Sequence, residues 1–263
     1  DARTVLALLP RCTVMMGVPT FYSRLLAEPG LDRAACAGMR LFISGSAPLL
    51  EETFHAFRER TGHAILERYG MSETGMNTSN PLAGDRIAGT VGLPLPEVEV
   101  RVADDADRAL GTGETGQIHV RGPNVFRGYW GMPGRTSADF APGGWFRTGD
   151  LGRIDANGYV SIVGRAKDLV ISGGYNVYPK EVELVLDRLP GVGESAVFGV
   201  PHADFGEAVT AVVVPRPGGP RPDPDALVAQ ARAELAGYKV PRRIVVLDEL
   251  PRNEIGKVLR ADL

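Results

Sequence analysis

Gly164-Arg165-Ala166-Lys167-Asp168-Leu169-Val170-Ile171-Ser172-Gly173-Gly174-Tyr175-Asn176-Val177-Tyr178-Pro179-Lys180-Glu181-Val182-Glu183 is the stretch on which the reading of the fold turns. Before it lies β-patterned chain rich in glycine, and after it a close alternation of strand and helix signals, so it reads as the joint between two modules. Arg165, Lys167 and Asp168 stand against a short β-branched run, and Gly173-Gly174 leave the backbone open to a ligand. Taken alone, the segment is equally well a strand, a glycine turn and a helix opened by Pro179.

Working upstream, Trp145-Phe146-Arg147-Thr148-Gly149-Asp150-Leu151-Gly152 places one carboxylate between glycines in an apolar setting. Such an Asp is either an Asx-turn or a group able to accept two hydrogen bonds from ribose hydroxyls. Short strand signals at 97–102, 116–121, 152–154 and 159–163 imply a small antiparallel barrel or distorted sheet. Further back, a strand at 64–69 leads into Gly70-Met71-Ser72-Glu73-Thr74-Gly75, where Tyr69, Ser72 and Glu73 combine an aromatic face, a hydroxyl for phosphate and a carboxylate for Mg²⁺. A helix cap is the plain alternative for Ser72 or Thr74, and it accounts for neither Tyr69 nor Gly70. The buried-strand pattern at 39–44 is followed by Gly45-Ser46-Ala47-Pro48 and a helix, a strand-to-helix turn of the kind that offers backbone N–H groups to ligands. Helical spacing at 3–9 and 21–27 brackets another short strand, and Arg24 lies on the second of these helices beside Leu25 and Leu26, by default a solvated helix-face charge.

Downstream of the joint, a helix at 180–189, strands at 195–200 and 208–215, a Pro/Gly-rich loop, a helix at 225–237 and a strand at 243–246 make a small α/β module. It ends in Pro251-Arg252-Asn253-Glu254-Ile255-Gly256-Lys257-Val258, where Lys257 sits near a loop tip and is either a solubilising charge or a residue that can reach toward another domain.

Composition narrows the function classes. The 263 residues carry a net charge of -3, which gives no basic footprint for nucleic acid. The two cysteines, Cys12 and Cys36, have no metal or redox spacing and suit a reducing cytoplasm, where the protein is expected. No apolar run approaches the roughly 20 residues that span a bilayer, so no membrane partner is expected.

In sequence order, Gly45-Ser46-Ala47, Tyr69-Gly70-x-Ser72-Glu73, Thr148-Gly149-Asp150, Gly164-Arg165-x-Lys167-Asp168, Gly173-Gly174 and Pro251-Arg252-x-x-x-Gly256-Lys257 resemble the motif series of the adenylate-forming acyl-CoA synthetases, the superfamily that also holds luciferases and peptide-synthetase adenylation domains. The resemblance covers essentially the whole chain. It implies a mixed α/β fold: residues 1–167 as the end of a large α/β plus β-barrel-like N-terminal domain, joined by a hinge to a small mobile α+β C-terminal domain at 168–263. It implies ATP, Mg²⁺ and coenzyme A as cofactors and substrates. Gly45, Ser46 and Ala47 would line the adenine and acyl pocket, with Tyr69 and Gly70 at adenine. Ser72, where the family usually has Thr, would meet phosphate, and Glu73 would hold Mg²⁺. Asp150 and Arg165 would bind ribose, Asp168 would be the hinge, Gly173 and Gly174 would flank the pantetheine tunnel, and Lys257 would bridge the acid and the phosphate. Charge building on the α-phosphate during carboxylate attack is what such a lysine and metal can stabilise.

Within the superfamily the chain is most similar to malonyl-CoA synthetases, at Val18-Pro19-Thr20-Phe21-Tyr22-Ser23-Arg24-Leu25-Leu26, at 67–81 and at 199–207. Arg24 would then pair with the carboxylate of malonate that does not react, a charge-assisted contact of about 1.5–3 kcal/mol. Methylmalonate, one methyl larger, differs by only about 1–3 kcal/mol in such a pocket and is a candidate second substrate. The family's Ser/Thr/Gly-rich loop ending in Lys is not found in this sequence. The resemblance therefore implies a missing N-terminal half of the same enzyme, without which the chain is expected to be inactive. The rival expectations are a ligase for another short or aromatic acid, and a non-catalytic fragment.

Overall fold

The alternating signals of the first eighty residues fold into a mixed sheet whose first three strands run parallel. The protein is described by a computed structural model that covers residues 1–253 and 258–263. In chain order come α1 (Ala2–Leu8), β1 (Val14–Gly17), α2 (Pro19–Leu26), β2 (Leu41–Ser44), α3 (Glu51–Thr61), β3 (Leu66–Met71), β4 (Gly75–Ser79) and β5 (Leu93–Pro94). The sheet order is β1-β2-β3-β4-β5, parallel through β3 and antiparallel after it. Pro19 opens α2, where its missing N–H costs nothing. The helix buries Tyr22 and Leu25 among Phe42, Phe54, Phe57 and Ile65. The Tyr22 hydroxyl donates to the Ile43 carbonyl at 2.5 Å, and burial pushes its pKa far above the ordinary value. That docking sets the rotation of α2 and turns Arg24 outward, where it is exposed.

The glycine-rich middle forms β6 (Glu99–Ala103), β7 (Gly116–Arg121), α4 (Pro133–Asp139), β8 (Phe140–Ala141), β9 (Trp145–Ile154) and β10 (Val160–Arg165). The order is β10-β9-β7-β6, with β8 pairing β9. Strand alternation puts Ile118 and Val120 into an apolar cluster with Val91 and Val160, and sends His119 to the other face. There His119 is fully buried, opposite Arg101 and Arg147 in register. Arg101 donates toward its Nδ1 at 3.3 Å, and Asp107 pairs with Arg147 nearby. Burial first, and then the Arg101 charge, lower the His119 pKa to about 4.

The chain divides into two units, Asp1–Ile162 and Val163–Leu263. The second contains β11 (Val170–Ser172), β12 (Tyr175–Val177), α5 (Pro179–Leu186), β13 (Val192–His202), β14 (Gly206–Pro215), α6 (Pro224–Glu234) and β15 (Arg243–Val246). The long β13–β14 hairpin is its centre; β14 also pairs β11 at Gly206 and runs parallel to β15 from Thr210 to Val213. One apolar layer joins Val182, Leu186, Val197, Val209, Ala211, Val213, Leu227 and Ala231, and another gathers Ala196, Val212 and Leu250. Among the described residues no helix is long and apolar enough to cross a membrane.

Candidate functional site

Parallel pairing of β2 with β3 sets Ser44 opposite Glu67, so the loop that follows β2 lies beside β3. The buried Glu67 carboxylate accepts the Leu49 N–H at 3.0 Å and pins the far end of that loop. Within it, Gly45 would bring a Cβ to 3.3 Å from the Arg68 carbonyl oxygen, and Ser46 holds a left-handed φ of 68°. A non-glycine residue in that region is strained, and such strain concentrates where backbone is pre-shaped for a ligand. Ser46 and Ala47 are exposed there.

The 64–69 strand runs two residues further than its expected end, to Met71, and turns directly into β4. Tyr69 and Gly70 therefore lie in a hairpin, and Ser72 and Glu73 at its tip. The register slips between Tyr69 and Gly70, and a Cβ at position 70 would lie 2.1 Å from the Gly75 carbonyl oxygen. Close backbone approach thus gives Gly70 a local reason of its own. Ser72 is exposed, whereas Glu73 is half-buried and is held twice: its carbonyl accepts the Phe126 N–H at 2.8 Å, and its Oε1 accepts the Tyr129 hydroxyl at 3.2 Å. Burial and the Glu73 and Asp139 carboxylates raise the Tyr129 pKa, keeping the phenol a donor.

Asp150 is not in an isolated turn; it is buried within β9, which passes through Gly149 at φ 73°. Thr148 secures this kink, its hydroxyl donating to the Ile118 carbonyl at 2.8 Å and accepting the Asp150 N–H at 3.1 Å. Asp150 Oδ2 accepts the Tyr69 hydroxyl at 2.6 Å, joining two candidates 81 positions apart. The Arg24 side chain makes no hydrogen bond or ion pair with any described residue.

In the second unit, Arg165 is exposed at the end of β10, and Asp168 closes a 3-10 turn over Ala166–Asp168. Gly173 and Gly174, at φ 60° and 81°, form the two-residue turn between β11 and β12. Positive φ at both central positions is a type I′ turn, which favours glycine. Lys257 lies outside the described residues.

Glu73 bears on the Mg²⁺ expectation. Among the described residues no group of three or more His, Cys, Asp or Glu side chains could cage a metal. A single carboxylate with one oxygen anchored by Tyr129 does suit Mg²⁺, which is commonly bound through one or two carboxylates together with a substrate's phosphates. The partners missed from the sequence are Asn124 and Tyr129. Asn124 Nδ2 donates to the Thr74 carbonyl at 2.7 Å and to Asn77 Oδ1 at 3.2 Å, bracing the hairpin from below its tip. The Gly122-Pro123-Asn124 turn signal followed by Phe126 and Tyr129 was the only sequence trace of this clasp.

Comparison with known proteins gives the following. The AMP-binding enzyme family matches residues 2–130, and the AMP-binding enzyme C-terminal domain matches residues 181–257. A malonate–CoA ligase of Arabidopsis thaliana is 40% identical over 95% of this chain and 44% of its own length. A feruloyl-CoA synthase of Amycolatopsis is 40% identical over 96% of this chain and 51% of its own. Among solved structures, ATP-bound MatB from Rhodopseudomonas palustris superposes with a TM-score of 0.97 at 54% identity, covering all of this chain and 52% of the other. The chain thus spans about half the length of the curated relatives it matches.

Proposed function

Since the chain belongs to the adenylate-forming acyl-CoA synthetase superfamily, we propose that the protein it forms part of joins a carboxylic acid to coenzyme A at the expense of ATP, with malonate as the acid and methylmalonate as a second substrate. The observation that carries this reading is the 2.6 Å contact between Tyr69 and Asp150, which pre-sets an aromatic face and a ribose-binding carboxylate side by side next to the strained Gly45-Ser46-Ala47 loop. In the first half-reaction a carboxylate oxygen bonds to the α-phosphorus, the bond from that phosphorus to the bridging oxygen breaks, and pyrophosphate leaves. Gly45, Ser46, Ala47 and Gly70 frame the nucleotide, Ser72 donates to phosphate, Asp150 and Arg165 take the ribose hydroxyls, and Lys257 offsets the growing charge. Glu73 would hold Mg²⁺ together with the phosphates, and the bound metal would supply neutralisation of phosphate charge there. In the second half-reaction the thiolate of coenzyme A attacks the acyl carbonyl and AMP leaves, after the small domain turns about Asp168 and brings Gly173-Gly174 beside the incoming pantetheine.

Support for malonate comes from Arg24. Its guanidinium is exposed on α2 and unpaired among the described residues, as a receptor for a second carboxylate needs to be. The feruloyl-CoA synthase of equal identity keeps an aromatic acid as the alternative.

The test is ATP–pyrophosphate exchange by the complete protein with malonate, methylmalonate, acetate, ferulate and a medium-chain fatty acid. Exchange with the two dicarboxylates, lost in Arg24→Leu, is the expected result. Exchange with ferulate or the fatty acid that survives Arg24→Leu would remove malonate and keep the ligase. No exchange with any acid would favour a non-catalytic role.

A further inference from the structure

The first unit contains a second arginine aimed at the end of the helix that carries Arg24. Arg60, one residue before the end of α3, turns all three guanidinium nitrogens to main-chain carbonyls: Nε to Leu31 at 2.6 Å, Nη1 to Leu26 at 2.5 Å and Nη2 to Glu28 at 2.6 Å. These are the last carbonyl of α2 and two in the turn that leaves it. A helix ends in carbonyls that have no following turn to serve, and a cation is favoured beside them. In α2 the Arg24 and Leu25 carbonyls take the Ala27 and Glu28 N–H groups, at 3.2 and 3.0 Å, while the Leu26 carbonyl takes Arg60. The Glu28 carbonyl also accepts the Leu31 N–H at 3.2 Å, so one guanidinium joins the helix end to the turn behind it.

α2 has only eight residues, well below the roughly 12–15 at which a helix begins to stand without tertiary support. It leans on α3 at two points. In its first half, the Tyr22 ring meets Phe57 edge-on with centroids 5.4 Å apart. One turn later its C-terminal end meets Arg60. Tyr22 and Leu26 are four positions apart and Phe57 and Arg60 three, so each pair shares a face of its own helix and the two faces meet. Arg24, two positions after Tyr22, stands about 200° around the helix and is exposed. Its backbone belongs to the last turn, the one that Arg60 closes.

We propose that Arg60 is a positioning residue for the acid: by closing the last turn of α2 it fixes the attitude of Arg24 toward the substrate carboxylate that does not react. This rests on Arg24 receiving the second carboxylate of malonate. Without Arg60, three carbonyls in a half-buried site lose their donor and the last turn of α2 frays. Arg24 then keeps its charge and loses its direction, so malonate binds less well. ATP, which other residues frame, is held as before.

The experiment compares Arg60→Met, Arg60→Lys and Arg24→Leu with the wild type in the complete protein. It measures kcat and the KM for malonate and for ATP in pyrophosphate exchange, together with urea unfolding and amide hydrogen exchange over α2. Arg60→Met is expected to raise the KM for malonate about tenfold, with the KM for ATP and the kcat at saturating malonate within about twofold of wild type. The Ala27 and Glu28 amides should exchange faster in the same variant. Arg60→Lys, a single ammonium in place of a fork, should raise the KM for malonate about threefold, and it carries the test if Arg60→Met does not fold. An unchanged KM for malonate in the folded variants, with malonate use lost in Arg24→Leu, would overturn the proposal and leave the malonate reading standing. Equal rises in both KM values, or a lower unfolding midpoint with both KM values intact, would make Arg60 a packing residue only and overturn it as well. If Arg24→Leu keeps full exchange with malonate, the Arg24 reading fails, and the proposal fails with it because Arg60 has nothing to position.

Discussion

The molecule contains two short hairpins at candidate positions, and they are held in opposite ways. The β3–β4 turn, which carries Glu73, is gripped from outside: Asn124 reaches the Thr74 carbonyl, the Phe126 N–H reaches the Glu73 carbonyl, and the Tyr129 hydroxyl reaches the Glu73 carboxylate. The β11–β12 turn is formed by Gly173-Gly174 itself. Its outside ties include the Gly173 N–H to the Phe205 carbonyl at 2.8 Å, the Ile171 N–H to Glu207 at 2.7 Å and the stacking of Tyr175 on Tyr238 at 4.6 Å, with Ile171 and Tyr175 both more than half exposed. The first turn presents a charged side chain whose direction matters, and distant residues fix it. The second presents bare backbone, and its turn is shaped by two glycines at positive φ.

The sharpest way to break this contrast is Gly70→Ala. The new Cβ would meet the Gly75 carbonyl at 2.1 Å, so the first hairpin must open, at a cost of about 3 kcal/mol in urea unfolding. An unchanged midpoint would mean that the hairpin is far softer than described. Asn124→Ala comes next: it strands the Thr74 carbonyl and Asn77 and should cost about 2 kcal/mol, with faster amide exchange confined to β3 and β4. In the second hairpin, Gly173→Ala meets only Phe205 at an ordinary 3.6 Å and should cost about 1.5 kcal/mol, from backbone conformation alone. A larger loss there would show that this turn too depends on packing. The smallest effect belongs to Tyr129→Phe. It should cost about 0.5–1 kcal/mol and, if Glu73 holds Mg²⁺ as proposed, raise the Mg²⁺ that the complete protein needs for half-maximal pyrophosphate exchange about two- to threefold, because Glu73 loses its aim while keeping its charge.

The same contrast explains what the sequence disclosed. Gly173-Gly174, Pro179 and the β-branched run before them are local signals, and their turn, helix start and strand were legible. So were β15, matched residue for residue, and the alternation of helix and strand around β2. Asp150 was read as a candidate with an Asx-turn as the even alternative, and the strand signal began only at 152; cross-strand pairing of Gly116 with Gly152 and Gln117 with Leu151, together with the Thr148 hydroxyl bonds, keeps β9 continuous through Gly149. Its bond to Tyr69 spans 81 positions and has no periodicity to announce it. The grip of Asn124 and Tyr129 on the first hairpin was hidden for the same reason. The helix after Pro179 ends at Leu186, three residues before its expected end, because the chain passes from there into a tight turn toward Val192.

His119 carries a consequence for how the protein meets acid. Folded, it stays neutral down to about pH 4; unfolded, it regains an ordinary histidine affinity for protons near 6.5. Its contribution to stability is complete above pH 6.5 and is lost as pH falls toward 4. Between those limits unfolding is a proton-consuming reaction, drawing up to one hydrogen ion from the buffer at this site. Calorimetric unfolding at pH 5 in acetate and in a buffer of large ionisation heat should accordingly differ in apparent enthalpy, and replacing His119 by Asn should shrink that difference.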